Sequence, residues 1–314
     1  MIPQLVRSLP LISNSRKLTT TRVPIAVKVA PDTYRVKCML SKFNALWCVV
    51  GIGLCLTACE TNVPDEYGNK TGVQNGAITK GVFSVDEGKQ VRFAMGNLQY
   101  KAGTQAWRFA SQQYEYLGDA NKNVSNTYDG WIDMFAWGSG NNPTIVDGTF
   151  EDTTFVDWGI NAISNGGNKP NQWRTLTTGE WMYIFNQRSN ASELYGTGII
   201  RTETEAYPGV FVMPDGWTIP KGLTFYAGIK GWYLNDYDTK QWAKLEAAGA
   251  VFLPAAGFRD GKDIYHVDMD GFYWSSSAFT AGGAWNLGFN VSLLGANGVS
   301  FMGQGYSVRL VQDL

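Results

Sequence analysis

Apolar and polar residues alternate in two short runs, Val82-Phe83-Ser84-Val85 and Val91-Arg92-Phe93-Ala94-Met95. The acidic step Asp86-Glu87-Gly88 between them predicts a β-hairpin. Helical spacing replaces period two at two places. Thr177-Thr178-Gly179-Glu180 has the capping-box pattern: a hydroxyl receives a free helix amide, and a glutamate three residues on returns to the amide of the cap. Trp181, Ile184 and Phe185 then share one face. A second helix starts near Asp238-Thr239, sets Trp242 and Leu245 on one side, and stops at Gly249. Val251-Phe252-Leu253-Pro254 comes next as an apolar strand before a glycine-rich turn. Residues 107–117 predict a strand and then a helical turn. The C-terminal stretch predicts a small sheet from 272–275, 284–290, 299–301 and 307–311. Residues 118–170 have no period; they carry Asn, Gly and Asp around Trp131, Phe135, Trp137 and Trp158, which predicts long ordered loops pinned by large rings.

The N-terminal pattern is of another kind. Residues 39–59 read MLSKFNALWCVVGIGLCLTAC, with Lys42 ahead of an uncharged apolar run from Ala45 to Leu56. The run is too short to span about 30 Å of hydrocarbon and suits the apolar core of a signal peptide. Leu56-Thr57-Ala58-Cys59 resembles a bacterial lipobox, which implies that Cys59 becomes the lipidated N-terminus after cleavage. Met39 is the natural start of such a signal. Residues 1–38 are basic and nearly free of acids; they read as an upstream over-extension of the reading frame or as disordered, and stand outside the fold. Residues 60–78, polar and punctuated by Pro64 and several glycines, predict a flexible tether. Residues 79–314 form the folded domain.

Charge and cysteine usage narrow the chemistry. The chain of 314 residues has a formal net charge of −1, but 8 basic residues and one acid fall in 1–59, so the remainder carries 18 bases, 26 acids and a net −8. An acidic body with no basic tract argues against nucleic acid as a partner. All four cysteines, Cys38, Cys48, Cys55 and Cys59, precede the folded part, and His266 is the single histidine. The folded part therefore has no disulfide, thiolate metal site or cysteine nucleophile. His266-Val267-Asp268-Met269-Asp270, with Asp260 and Asp263 nearby, invites a hard-cation reading, but lacks the EF-hand spacing and is expected to be a solvated acidic loop. No P-loop or G-x-S-x-G is present, and neither a metal nor a cofactor is expected.

From Gly271 to Val308 there is no Asp, Glu, Lys or Arg. Period two in 284–290 sets Trp285, Leu287 and Phe289 on one face, expected inward, and Asn286, Gly288 and Asn290 on the other, expected outward. Outward substitutions typically cost within about 0.5 kcal/mol, whereas truncating a buried Trp costs about 3–5 kcal/mol. A stiff ring-filled interior with permissive outward positions suits a binding scaffold.

Gln172-Trp173-Arg174-Thr175-Leu176-Thr177-Thr178-Gly179-Glu180-Trp181 resembles the R-L-P-T-x-x-E-W-E-Y helix start of the formylglycine-generating-enzyme (sulfatase-modifying-factor) branch of the C-type lectin fold. Tyr273-Trp274-Ser275-Ser276-Ser277, Ala284-Trp285-Asn286-Leu287-Gly288-Phe289 and Gly305-Tyr306-Ser307-Val308-Arg309-Leu310-Val311 look like the C-terminal part of that fold. With Gly96-Asn97-Leu98-Gln99-Tyr100 and Asp129-Gly130-Trp131-Ile132-Asp133, they are similar to the variable proteins of diversity-generating retroelements of Bacteroides and its phages. The resemblance covers roughly residues 80–314. It implies an α+β C-type lectin fold with small antiparallel sheets, two main helices, long ordered loops and a variable-region-like C-terminus at 272–314.

In that family, adenine-directed mutagenesis rewrites Asn codons to a restricted palette. The resemblance implies ligand-binding roles for Phe279, Thr280, Gly282, Gly283, Asn286, Gly288, Asn290, Ser292, Leu293, Asn297, Ser300, Phe301 and Tyr306, with Phe279, Leu293, Phe301 and Tyr306 as anchors. Met302 lies outside the palette. The expected protein is a surface-displayed outer-membrane lipoprotein that meets the membrane through its lipid anchor alone and binds an unknown protein or glycan through a diversifiable surface. The alternatives are a lipoprotein of the same fold with a fixed binding surface, and an enzyme of the formylglycine-generating type, which the absence of cysteine after Cys59 argues against.

Overall fold

The computed structural model describes residues 72–146, 154–280 and 282–314. The lipobox, Cys59, the 1–38 segment and the first part of the expected tether lie outside the described residues. Strands β1 (Val73–Gln74), β2 (Ala77–Ile78), β3 (Phe83–Asp86), β4 (Lys89–Phe93), β5 (Leu98–Lys101), β6 (Ala106–Phe109), β7 (Trp131–Ile132) and β8 (Arg174–Thr175) precede α1 (Thr178–Met182), which widens into a π turn at Tyr183–Gln187. Then come β9 (Tyr195–Arg201), β10 (Ala206–Val212), β11 (Asp236–Asp238), α2 (Thr239–Ala247), β12 (Val251–Pro254), β13 (Phe258–Asp260), β14 (Asp263–Tyr265), β15 (Asp270–Thr280), β16 (Gly283–Asn290), β17 (Leu294–Phe301) and β18 (Leu310–Asp313). The class is α+β, with small, mostly antiparallel sheets and few helices; β11 runs parallel to β9. No helix among the described residues is long and apolar enough to cross a membrane.

The local signals form as the side-chain chemistry dictates. β3 and β4 pair antiparallel around Glu87-Gly88. Both halves of the capping box at Thr177 and Glu180 are made, and Glu180 also receives the fork of Arg174 at 2.7 and 2.9 Å. Arg174 reaches Asp313 as well, so one guanidinium ties β8, the start of α1 and the end of β18. Helix α2 begins on an Asp238–Gln241 capping box. It ends with Gly249 N donating to Glu246 O and Ala250 N to Leu245 O, the paired bonds of a Schellman motif.

Two expectations are corrected. The tether does not extend to residue 78: β1 and β2 form a hairpin, Ala77 and Ile78 are buried, and Met95 N donates to Gly76 O. A pair of apolar residues in a polar stretch is enough to dock it. Residues 307–311 are not a strand of the C-terminal sheet. β18 begins only at Leu310, and it pairs with β4 and β8.

The segment before β18 instead runs through the middle of the domain. Gly305 exchanges backbone bonds with Arg259, Tyr306 with Phe135, and Ser307 with Phe272 and Trp274; Leu98 N donates to Val308 O and Ala94 N to Leu310 O. Arg309, 1% exposed, sits at its end. Its guanidinium donates to Asn97 Oδ1, Ala94 O, Gln113 O and Phe252 O at 2.8 to 3.2 Å. Burial pushes the group down to about 10.

Three ring-rich clusters fill the interior. The first joins Trp107, Phe135, Trp137, Trp158, Trp173, Trp274 and Tyr306. Indole N–H groups pin the loops: Trp137 donates to Ser275 O at 2.8 Å and Trp274 to Phe135 O at 2.7 Å. Trp131 is only half-buried, beneath the Arg108 guanidinium at 3.9 Å. The second cluster includes Phe83, Phe93, Trp181, Tyr273, Leu287 and Phe289, and the third Phe211, Tyr237, Trp242 and Phe252. Asp133 is fully buried and closes a loop: it accepts from Leu117 N and Asn121 Nδ2, while Asn121 Oδ1 accepts from Asp133 N and Met134 N.

Arg309→Met leaves four buried oxygens without donors and is expected to lower stability on the order of 3–5 kcal/mol in urea titrations, with Arg309→Lys recovering only part. Burial raises Asp133 to about 6 from 3.8, the sign that favours its neutral form in the folded state. Its contribution is therefore full below about pH 4 and lost as pH rises through about 6, roughly 3 kcal/mol in all. The wild-type stability minus that of Asp133→Asn, measured by urea midpoint from pH 4 to 7, should fall across that window.

Candidate functional site

The candidate surface is built on β15, β16 and β17, which pair antiparallel in sequence order. Both faces of this sheet are covered over much of its length. Tyr273, Leu287, Phe289 and Ala296 pack into the second cluster, and Trp274 and Ala284 into the first, beneath Met302 and Tyr306. Beyond the covered part the sheet projects, and there Phe279, Val299 and Phe301 are 49%, 45% and 77% exposed. Trp285, expected in the core, is half-buried in this projecting part and meets Phe279 edge to face at 4.8 Å. Leu287 and Phe289 are inward as expected.

Asn286 is a correction: it is 2% exposed, not outward. Its Nδ2 donates to Ser300 Oγ at 3.0 Å, and the same hydroxyl shares a hydrogen bond with Tyr306 OH at 2.7 Å. Tyr306 is likewise no anchor. It is 3% exposed, stacked on Trp274 at 4.3 Å and on Phe272 at 4.8 Å, and its hydroxyl also bonds Gln304 Oε1. Alternation along a strand tells one face from the other; it does not tell which is dry, and here the threaded segment at 305–310 covers the second face.

Most of the other candidates line two neighbouring depressions; Ser292 and Asn297 line neither. One, of ≈ 340 Å³, is lined by Phe279, Thr280, Gly282, Gly283, Ser300 and Phe301 together with Val299 and Gln304. The other, of ≈ 400 Å³, brings Asn286, Gly288, Asn290, Leu293 and Ser300 to Phe272 and Leu294, with Asp270 as its one charged lining residue. Leu293 is 68% exposed, and Ser292 and Asn297 are exposed. Asn290, half-buried, turns its side chain to its own loop: Oδ1 accepts from Ser292 N and Leu293 N. Val291 and Val299, both 45% exposed, also belong to this surface, although the resemblance does not point to them. For Val299 the signal is present in the chain, since Asn297, Val299 and Phe301 alternate.

Room at the glycines separates permissive from fixed positions. A Cβ on Gly283 or Gly288 would make ordinary contacts at 3.6 and 3.5 Å. On Gly298 it would meet Asn286 Oδ1 at 2.8 Å, against the buried amide. Gly282 holds a left-handed turn, φ +75°.

The acidic loop does not converge on a cation. His266 Nδ1 pairs with Asp270 Oδ2, while Asp268 accepts from Tyr116 OH on another segment. Among the described residues no group of three or more His, Cys, Asp or Glu side chains could hold a metal ion. Compared with known proteins, the chain matches no family model, no curated protein and no solved structure.

Gly288→Ser is expected to change stability by no more than about 0.5 kcal/mol. Gly298→Ser, pressed onto Asn286, should cost about 1–3 kcal/mol. Thermal melts of the two variants side by side check the contrast.

Proposed function

We propose that this chain is a lipid-anchored binding protein that takes its ligand on the projecting part of the C-terminal sheet. The observation that carries the reading is the projecting end of the sheet, free of charged residues in sequence from 271 to 308, which bears Phe279, Val299 and Phe301 in water beside strands β15 and β16, themselves gripped by core on both faces. Exposed rings and aliphatic groups on a rigid frame supply contact area at low entropic cost, and small neighbours such as Gly283 and Gly288 leave shape free to change. The α+β architecture, with small antiparallel sheets, two main helices and long ring-pinned loops, supports the C-type lectin fold of the retroelement variable proteins. We infer a diversified receptor or adhesin rather than an enzyme, anchored through Cys59 and displayed from the outer membrane.

A fixed binding surface is the second reading. Buried Asn286, turn-forming Asn290 and buried Tyr306 favour it, because free substitution at those three would damage the sheet. The diversified reading therefore concentrates variation at Phe279, Thr280, Gly283, Gly288, Leu293, Asn297 and Phe301.

Sequencing the DNA around the gene separates the two. A near-copy of codons 272–310, differing only where adenines stand and accompanied by a reverse transcriptase gene, is expected. Its absence leaves the fixed surface. Mass spectrometry of the membrane fraction should find Cys59 acylated and N-terminal, and Cys59→Ser should release the protein from the membrane.

A further inference from the structure

If the projecting sheet is the binding surface, as proposed above, its backbone also constrains the chemistry of the ligand. β17 is an edge strand: β16 lies on one side, and among the described residues no strand lies on the other. The phase of the ladder fixes which backbone groups face outward. Met302 N donates to Gly282 O, so residues 282 and 302 form a bonded pair, and bonded and non-bonded pairs alternate along an antiparallel ladder. Gly283 with Phe301 and Trp285 with Val299 are then non-bonded pairs, and the N–H and C=O of Val299 and Phe301 point away from β16. Phe301 O is taken by Gln304 N at 3.0 Å. Val299 N–H, Val299 C=O and Phe301 N–H remain, a donor, an acceptor and a donor in succession. Toward the start of the strand the edge is closed, because Thr178 Oγ1 at the head of α1 donates to Ala296 O. The open stretch is 297–301.

Strand edges in stable proteins are commonly guarded by lysine, proline or an inward charge. Asn297-Gly298-Val299-Ser300-Phe301 has none of these, and the charge-free run extends from 271 to 308. The ≈ 340 Å³ depression beside Phe279 and Phe301 adjoins the same stretch. We propose that the occupant is an extended, uncharged segment of a partner protein, which adds to β17 as a further strand and sets an apolar side chain into that depression. A peptide backbone offers the matching acceptor, donor and acceptor at strand spacing, with alternate side chains turned to one face. A charged side chain entering here would lose its hydration and meet no counter-ion.

The test uses the full chain, immobilised and panned against a random linear-peptide phage library. Enriched peptides should share alternating uncharged apolar residues, and the synthetic peptide should slow amide exchange at Val299 and Phe301. Val299→Pro removes one outward N–H at an edge position that accepts proline, and should weaken the peptide at least tenfold by calorimetry with the melting temperature nearly unchanged. The exchange measurement decides the matter if that variant fails to fold. No enrichment, equal affinity for Val299→Pro, or exchange at the two amides unaltered by peptide overturns the proposal. So does a wild-type dimer that Val299→Pro converts to monomer, which would make a second copy the occupant. If Phe301→Ala weakens binding while Val299→Pro does not, the surface reading stands and strand addition falls. If Phe279→Ala, Leu293→Ala and Phe301→Ala all leave binding unchanged, the surface reading falls as well.

Discussion

A guanidinium that stays charged under all ordinary conditions lies in the interior of this protein, hydrogen-bonded to oxygens rather than to a carboxylate. Arg309 is held by acceptors from three separate stretches: Ala94 and Asn97 after β4, Gln113 after β6, and Phe252 in β12. Taking such a cation out of water costs several kcal/mol, and only the simultaneous presence of all the acceptors offsets that. The arrangement is therefore close to all-or-none. It fixes the place of the threaded segment before β18, and that segment hydrogen-bonds in turn to Phe135, Phe272, Trp274 and Leu98. Asn97 extends the constraint further, since its Nδ2 donates to Tyr273 OH, which donates to Pro254 O.

The C-terminal sheet inherits its rigidity from this. β15 is gripped on one face through Trp274 and on the other through Tyr273, and β16 is held likewise through Ala284 and Leu287. Cores on both sides leave little freedom for the strands to shift when a side chain at the projecting end changes. Exposed Phe279 and Phe301 are thus separated from the load on the fold, although they lie on the same strands as residues that carry it. Arg174 plays a matching role close by: it lies opposite Val311, and its guanidinium joins the start of α1 to the end of β18.

Much of this is legible in the chain, and the failures share one cause. The hairpin around Gly88 and the two capped helices are local: their signals are turn chemistry, cap hydrogen bonds and spacing within a few residues, and all appear where expected. The loops of 118–146 are ordered by the predicted rings, Phe135 and Trp137, though Trp131 stays near the surface under Arg108. What the local pattern misses depends on contacts distant in sequence. Period two places Asn286 outward because it assumes that one face is wet, and the resemblance makes Tyr306 an anchor without showing what covers it. A buried arginine with three backbone carbonyl partners has no local pattern at all. The motif Gly305-Tyr306-Ser307-Val308-Arg309 reads locally as strand and binding surface; its residues instead organise the interior.

That reassignment bears on how far a surface of this kind can vary. Asn286, Ser300, Tyr306 and Gln304 form a hydrogen-bonded chain directly beneath the projecting end. A change at Asn286 or Tyr306 leaves a buried polar group without its partner, which costs about 1–3 kcal/mol, whereas a change at Phe301 or Leu293 exchanges one solvated side chain for another. The boundary between the two kinds of position does not run along the strand, for Ser300 and Phe301 are adjacent and fall on opposite sides of it. Along β17 it tracks the alternation of faces instead, with Asn297, Val299 and Phe301 exposed and Gly298 and Ser300 set against Asn286; on β16 it does not, because Gly288 has room for a Cβ on the same face as buried Asn286.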